Sequence, residues 1–378
     1  MGDATASGFP GSLVVVSLER WDDVWRRNQF LVRELLAAHP ALRVLFVEPP
    51  YDVWLGVRGR ARPRGLGVRR IDATGRLHAL RPVKPGPRVA GPWVDWALRQ
   101  QVLGAVRRLG LADPVLWIND ANYADLMVKT SWPTLYDVTD DWLEAAAAPR
   151  ETRRLQMREQ RLLRHADAVV VCSPELARRK PAVHGVRLIR NAVDVELFRR
   201  PLPRPADLGA GRTLVYVGTL HRDRLDVDLV SELARTVPAR VVLVGPSALD
   251  DQAERLLRDA GVEILGPRPY ESVPAYLQHA DVVIVPHVVS AFTASLDPIK
   301  AYECLAVGRP TVATPVPGFV EVGAPIVVAP RSDFVAQVAR VLEHGVPVVL
   351  GDVPSWSQRA EEFAGELARV ARASASRA

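Results

Sequence analysis

Two doubly wound α/β domains are the fold class this sequence predicts, and three observations predict it. Short apolar, β-branched runs alternate with helical stretches of ~10–15 residues, the rhythm of βαβ units around a parallel sheet. That rhythm stops in residues 191–211, which hold Pro201, Pro203 and Pro205, and then restarts. The chain has 378 residues, more than one ordinary domain needs.

The elements follow in order. Residues 13–17 (Leu-Val-Val-Val-Ser) read as a buried strand, and 25–38 as a helix with Phe30, Leu31, Leu35 and Leu36 on its apolar stripe. Residues 43–48 are the next strand, stopped by Pro49 and Pro50. Residues 51–92, rich in Arg, Gly and Pro, read as irregular surface with one short strand at 77–80. A helix at 93–109 leads to strands at 115–119, 135–138 and 168–172, with a charged helix at 150–165 between the last two. A short helix at 174–180 and a strand at 186–190 close the first half. After the linker, strands at 213–218, 240–245, 262–266, 281–286 and 311–314 alternate with helices at 226–236, 250–260, 273–279, 298–307 and 332–344. The tail, 355–373, is amphipathic, with Trp356, Phe363, Leu367 and Val370 on one side.

Composition narrows the class. The chain is 48% hydrophobic and 24% charged, which is globular, and no apolar run reaches the ~20 residues of a membrane span. Residues 1–10 show no basic and apolar leader, so a cytoplasmic protein is expected. Cys172 and Cys304 sit beside apolar elements, as reduced core thiols do, and the spacing offers no zinc site, so no metal is expected. The net charge of +6 does not call for nucleic acid. All but four of the 49 basic residues are arginine, so Lys300 stands out where a compact point charge is needed.

Ligands of doubly wound sheets lie at the carboxyl ends of strands, so the loops there hold the candidates. No Gly-x-Gly-x-x-Gly or Walker-type loop follows an opening strand. Residues 293–310 carry the strongest signal. Asp297 is a candidate N-cap, Pro298 the first helical residue and Gly308 the C-terminal cap. Thr293, Ser295, Ile299 and Lys300 surround a helix start, where free N–H groups and the positive dipole end attract an anion. Glu303 lies one turn on, and a carboxylate on a mostly apolar helix wants a hydroxyl pair or a cation. Gly218 permits close ligand approach. Thr219 follows it, and His221, Arg222 and Arg224 either neutralise phosphate or pair with Asp223, Asp226 and Asp228. Gly245 ends the next strand and Arg268 and Tyr270 follow the third. In the first half, Asp137, Asp140 and Asp141 either cap a helix, bind a divalent metal, orient acceptor hydroxyls or act as a base. Asn119 and Asp120 end the neighbouring strand. Trp21, Trp25 and Arg26 suit stacking on a sugar, or helix packing. Trp54, Leu55 and the arginines of 58–70 give either a contact with an anionic membrane or a solvated loop.

Residues 297–314, Asp-Pro-Ile-Lys-Ala-Tyr-Glu-Cys-Leu-Ala-Val-Gly-Arg-Pro-Thr-Val-Ala-Thr, resemble the donor-site segment of GT-B glycosyltransferases of the group 1 / family 4 type. Residues 169–174, 188–198 and 216–220 are similar to other segments of that family, in the same order, and 136–142 and 25–29 are similar to a bacterial surface-polysaccharide branch. The resemblance implies two Rossmann-like domains facing a cleft: 1–195, acceptor-binding and joined by the terminal helix 355–378; a linker, 196–211; and 212–354, which binds the nucleotide sugar. It implies transfer of a sugar from a nucleotide-diphosphate donor to a hydroxyl of a glycan, lipid-linked saccharide or small molecule, with retention and no cofactor beyond that donor. Peripheral membrane contact is a further expectation. On matching positions, Glu303 takes the ribose hydroxyls, Pro298 and Ile299 the diphosphate, Arg224 a phosphate, and 268–270 the base region. Ser295 stands where the family has a glutamate for the donor sugar, and Thr219 where it has an arginine; Lys300, Arg222 or His221 then supplies the missing cation. Asp120, Asp137 or Asp140 orients the acceptor. The rival readings are a GT-B nucleotide-sugar epimerase and an inactive nucleotide-sugar-binding protein.

Overall fold

The computed structural model describes residues 9–57, 64–88, 91–144, 149–321, 323, 325–345, 350 and 352–375. They fall into two compact units: residues 1–139, 146–189 and 357–378 form unit 1, and residues 140–145 and 190–356 form unit 2.

Unit 1 is built on an eight-stranded sheet. Its strands are β1 (Ser12–Val16), β2 (Arg43–Val47), β4 (Gly67–Arg70), β5 (Leu77–Arg81), β7 (Val115–Ile118), β8 (Thr134–Val138), β9 (Ala168–Val171) and β10 (Arg187–Leu188), and a separate short pair joins β3 (Tyr51–Asp52) to β6 (Val83–Lys84). The sheet order is β10-β9-β8-β7-β1-β2-β5-β4, parallel except for the β4–β5 pair. β1, β7, β8 and β9 have no polar period because helices cover both faces. Trp117 on β7 packs against Phe363 of the terminal helix Trp356–Ala375, ring centroids 4.4 Å apart.

Unit 2 holds β11 (Thr213–Val217), β12 (Arg240–Val244), β13 (Glu263–Gly266), β14 (Val282–Val285), β15 (Thr311–Ala313) and β16 (Ile326–Val328), in the order β13-β12-β11-β14-β15-β16, all parallel. Each sheet has one place where the strand order reverses: β1 between β2 and β7, and β11 between β12 and β14. Crevices that hold ligands open at the carboxyl ends of such strands.

The expected elements form with ends shifted by a few residues, and four stretches differ. Residues 51–84 are not merely irregular: β3, the helix Val53–Val57, β4, β5 and β6 are built from them. Arg69 of β4 pairs with Glu48, whose side chain is fully buried, at 2.6 Å, so this arginine belongs to the sheet edge rather than to a solvated loop. Arg58, Arg60 and Arg62 of the expected membrane segment, and residues 1–8 of the expected leaderless terminus, lie outside the described residues. The stretch 191–211 carries a helix, Val195–Arg199, N-capped by Asp194, because Phe198 plugs the unit 2 core. The short helices Ala124–Lys129 and Pro317–Val320 and β16 went unpredicted; few residues spell them. Among the described residues, no helix is long and apolar enough to cross a membrane.

Candidate functional site

In unit 2 the loop after β11 meets Lys300 near the start of the helix Ile299–Val307, and the loops after β12 and β14 contact that β11 loop. Gly218 and Gly245 end β11 and β12 with φ of 151° and 144°, a region that favours glycine. A Cβ at Gly245 would lie 2.1 Å from the Gly218 carbonyl oxygen, so these two backbones touch. A Cβ at Gly218 would lie 2.2 Å from Lys300 Cε and 2.5 Å from its Nζ. Lys300 therefore lies across the bare Gly218 backbone. Its Nζ stands 5.6 Å from the centre of the Tyr216 ring, within reach of the ring's negative face. The Tyr216 hydroxyl is 3.4 Å from Nε2 of His287, the residue two past β14. Burial, then Lys300 and Arg224, hold the His287 imidazole well below its ordinary pKa, so the ring is neutral beside two cations.

Glu303, 9% exposed, lines a small cavity with Tyr216, Leu277, Val285, Lys300 and Cys304. Burial pushes its carboxyl up to about 7, and the Lys300 charge opposes the shift. Burial and the Glu303 charge push the neighbouring Cys304 thiol up to about 12, so it stays protonated and inert. Arg224 lies on Phe292, 5.4 Å from the ring centre, and pairs with Asp140 at 3.3 Å. Lys300, near the helix start, and the buried Glu303 carboxyl thus share one cavity at the strand reversal of unit 2, and Arg224 lies on the loop after β11.

The helix start differs from the expectation. Asp297 is not its N-cap: Pro298 occupies that position and the first helical residue is Ile299. The Asp297 carboxylate instead accepts hydrogen bonds from Arg190 Nη2 (3.0 Å), the Asn191 backbone N–H (2.5 Å) and the Tyr302 hydroxyl (2.8 Å). This clasp fixes the backbone that leads into the helix. Pro298 itself is packed on Gly318, where a Cβ would come 2.3 Å from Pro298 Cδ. Gly308 ends the helix with φ of 71°, as its sequence position predicts.

Other expected donor residues hold structure rather than an open site. Thr293 and Ser295 are fully buried, and their hydroxyls donate to Val288 O and Phe292 O, both at 2.7 Å. Arg222 pairs with Asp250 at 3.1 Å, and His221 faces Asp223 at 3.5 Å. Arg268 is clamped between Asp207, at 2.6 Å, and the Tyr276 hydroxyl, at 2.9 Å. Tyr270 is buried against Phe198. The Thr219 carbonyl lies 3.5 Å from the Tyr216 hydroxyl.

In unit 1, Asn119 sits at the other strand reversal. Its Nδ2 donates to Asp137 O (2.9 Å) and Thr139 Oγ1 (3.2 Å), and its Oδ1 accepts from Asn28 Nδ2 (3.0 Å). Asp137 is not open to an acceptor: Arg27 grips both carboxylate oxygens, at 3.2 and 3.3 Å, and both side chains are buried. Arg27 and Asn28 lie in a stretch whose bland helical pattern gave no hint of burial. Asp140 and the buried Asp141 belong to unit 2, where Asp140 meets Arg224. Asp120 is 7% exposed and its Oδ1 accepts from Asn122 N and Nδ2, both at 2.9 Å; burial raises its carboxyl above the usual range. Trp21 packs edge-on against Phe46 and Trp25 lies by Phe30 and under Arg33, so both serve packing. Arg26 donates to Val24 O at 3.0 Å and pairs with Asp22 at 3.5 Å.

Comparison with known proteins follows this geometry. Residues 211–344 match the family described as Glycosyl transferases group 1. The chain is 30% identical over 234 residues to TuaH of Bacillus subtilis (strain 168), whose name assigns it to teichuronic acid biosynthesis as a glycosyltransferase; the match covers 56% of this chain and 58% of that protein. It is 27% identical over 197 residues to the D-inositol 3-phosphate glycosyltransferase of Corynebacterium urealyticum (strain ATCC 43042 / DSM 7109), covering 45% of each. The chain thus spans about half the length of these curated relatives. Among solved structures it resembles sucrose-phosphate synthase from Thermosynechococcus elongatus (TM-score 0.69, 19% identity, 95% of this chain and 94% of that one). It also resembles Anabaena HepE in complex with UDP and glucose (TM-score 0.63, 15% identity, 96% and 98% covered). Residues 211–344 are therefore a Glycosyl transferases group 1 domain, carried by a chain with the GT-B fold.

Proposed function

We propose that this chain is a glycosyltransferase that moves a sugar from a nucleotide-diphosphate donor to a hydroxyl acceptor, with retention at the anomeric carbon. The observation that carries it is Lys300 lying across the bare Gly218 backbone at the start of the helix Ile299–Val307, one turn from the buried Glu303 carboxylate. A departing diphosphate needs preorganised positive charge, and the helix start, Lys300 and Arg224 supply it without reorganisation. Glu303, ionised, accepts from the ribose hydroxyls. Asp140 leaves Arg224 when the diphosphate arrives. Retention follows a front-face substitution in which the leaving phosphate takes the acceptor proton. Asp120 orients the acceptor through Oδ2, which accepts no hydrogen bond from the described residues. The burial of Ser295 supports recognition of the donor sugar by groups other than that position.

The relatives' names support a bacterial surface-glycan or polyol acceptor, and the HepE complexes support UDP as the nucleotide. The same reading keeps the protein cytoplasmic, without a further cofactor, and lets exposed Trp54 and Leu55 touch a membrane surface that presents a lipid-linked acceptor. The test is incubation with radiolabelled UDP-, GDP- and dTDP-sugars and candidate acceptors. Glycosyl transfer or slow donor hydrolysis supports the proposal. Release of an epimerised nucleotide sugar, or tight nucleotide binding without turnover, overturns it.

A further inference from the structure

A second charged cluster lies in unit 1, and no step above uses it. Arg88 Nε donates to Asp95 Oδ1 at 3.0 Å, and Arg158 Nη2 donates to Asp95 Oδ2. Arg158 Nη1 also donates to the Asn122 carbonyl at 2.8 Å, and Asn122 in turn holds Asp120. Arg154 precedes Arg158 by one turn of the helix Pro149–His165, so the two share a face. Arg154 makes no hydrogen bond or ion pair with any described residue, although its Nε is buried. Tyr123 is 5% exposed, and its buried hydroxyl has no partner among the described residues.

The helix Pro149–His165 packs against Ala121–Tyr123, which brings Arg154 and Arg158 to the side of Tyr123 and Asn122. Arg88 and Asp95 act on both Tyr123 and Arg154, and Arg88 and Arg158 act on Asp120. Among the buried and half-buried groups three guanidiniums face two carboxylates; Glu151, which also acts on Arg154, is exposed and screened by solvent. Asp95 is shared by two of the arginines, and burial drives Asp120 towards its neutral form. Positive charge is in surplus, and Arg154 carries it: burial, then Arg158 and Arg88, hold its guanidinium below the ordinary value. A buried N–H and a buried O–H without acceptors cost free energy that a ligand can remove. Both are donors beside surplus positive charge, so the ligand group is an anionic acceptor of hydrogen bonds. Guanidinium forks match the oxygens of phosphate and carboxylate. The cluster adjoins Asp120, at the carboxyl end of β7, where a doubly wound sheet takes ligands.

We propose that Arg88, Arg154, Arg158 and Tyr123 form an oxyanion site that holds the phosphate or carboxylate group of the sugar acceptor beside Asp120. The acceptor role rests on the glycosyltransferase reading; the oxyanion site does not. Calorimetric titration of the full chain with glucose 6-phosphate, glucuronate and glucose tests it. One or both anionic sugars bind and glucose does not, and the one that binds identifies the oxyanion. Arg154→Gln weakens that binding at least about tenfold, Arg154→Lys keeps part of it, and UDP affinity is unchanged in both. If Arg154→Gln does not fold, Tyr123→Phe reads the same site through a smaller, several-fold loss. Absence of binding by either anionic sugar, or binding that these substitutions leave unchanged, overturns the site. Anionic-sugar binding without glycosyl transfer from any nucleotide sugar overturns the acceptor role and leaves the oxyanion site standing.

Discussion

Glu303 concentrates the chemistry of the crevice at one carboxyl. Its folded pKa, about 7, lies above the ordinary 4.5, so the folded protein binds more protons than the unfolded chain between those values. Stability contributed by this group is therefore present at low pH and is lost as pH rises from about 4.5 to about 7. Glu303→Gln removes that loss, and its melting temperature exceeds that of the parent at pH 8 while the two converge at pH 4.5; equal differences at both pH values would contradict the burial argument. In the proposed site the ionised form accepts the ribose hydroxyls, so nucleotide affinity of the parent falls below pH 7. Glu303→Gln weakens binding by about 1.5–3 kcal/mol at pH 8 and flattens that dependence, as calorimetry with UDP would report. Gly245 makes the opposite kind of prediction. Gly245→Ala forces a Cβ to 2.1 Å from the Gly218 carbonyl at a φ of 144°, and neither backbone has room to yield. We expect a loss of about 3 kcal/mol or more in urea denaturation. Gly218→Ala meets the end of the Lys300 side chain and is also strained at its φ of 151°, so it harms anion binding as well as stability.

At the scale of the element, the helix Ile299–Val307 is set from outside itself. Its sequence specifies an apolar helix with a glycine stop, but the angle at which it enters the crevice depends on Asp297, Arg190, Asn191 and Tyr302. Arg190 also pairs with Glu321 at 2.8 Å, so the clasp reaches the helix Pro317–Val320, whose Gly318 seats Pro298. Asp297→Ala leaves the Asn191 backbone N–H without this acceptor and the partly buried Arg190 guanidinium without its buried carboxylate, with Glu321 remaining as a more exposed partner. It should cost about 3 kcal/mol in stability and weaken nucleotide binding, whereas Tyr302→Phe should cost about 1 kcal/mol. Chemical denaturation of both variants checks the ranking, and the reverse order would show that the clasp is centred on the tyrosine. Such a device is poorly legible from sequence. Asp297 before Pro298 reads as a cap, since a cap and a long-range acceptor use the same residue type. Only the partner 107 residues away distinguishes them.

The whole molecule has two separately packed cores, and the terminal helix contributes to that of unit 1. Phe363, Leu367 and Val370 are fully buried there, and Phe363 faces Trp117. Phe363→Ala should cost about 3–5 kcal/mol and lower the transition of unit 1 in scanning calorimetry. In the proposed site UDP stabilises unit 2, and that stabilisation should persist. A loss of the UDP effect instead would mean that the two units do not melt separately.

The sequence by itself determined the alternation of strands and helices, the split into two α/β halves and the segment at 293–310. Hydrophobic period, caps and glycine stops act over a few residues and are written locally. What only the tertiary structure decided is which polar groups stay open. Thr293, Ser295, Asp137 and Arg268 have the right chemistry for a site, yet each is committed to a partner already. Residues 51–84 form five short elements because strand pairing and Glu48 organise an arginine- and glycine-rich chain that has no period of its own. Conversely, Lys300, Glu303 and Gly218, spaced across 86 positions of sequence, meet because parallel strands on either side of a reversal bring their carboxyl ends together. Burial and partnership are properties of the packed chain, and they separate a residue that can act from one that merely could.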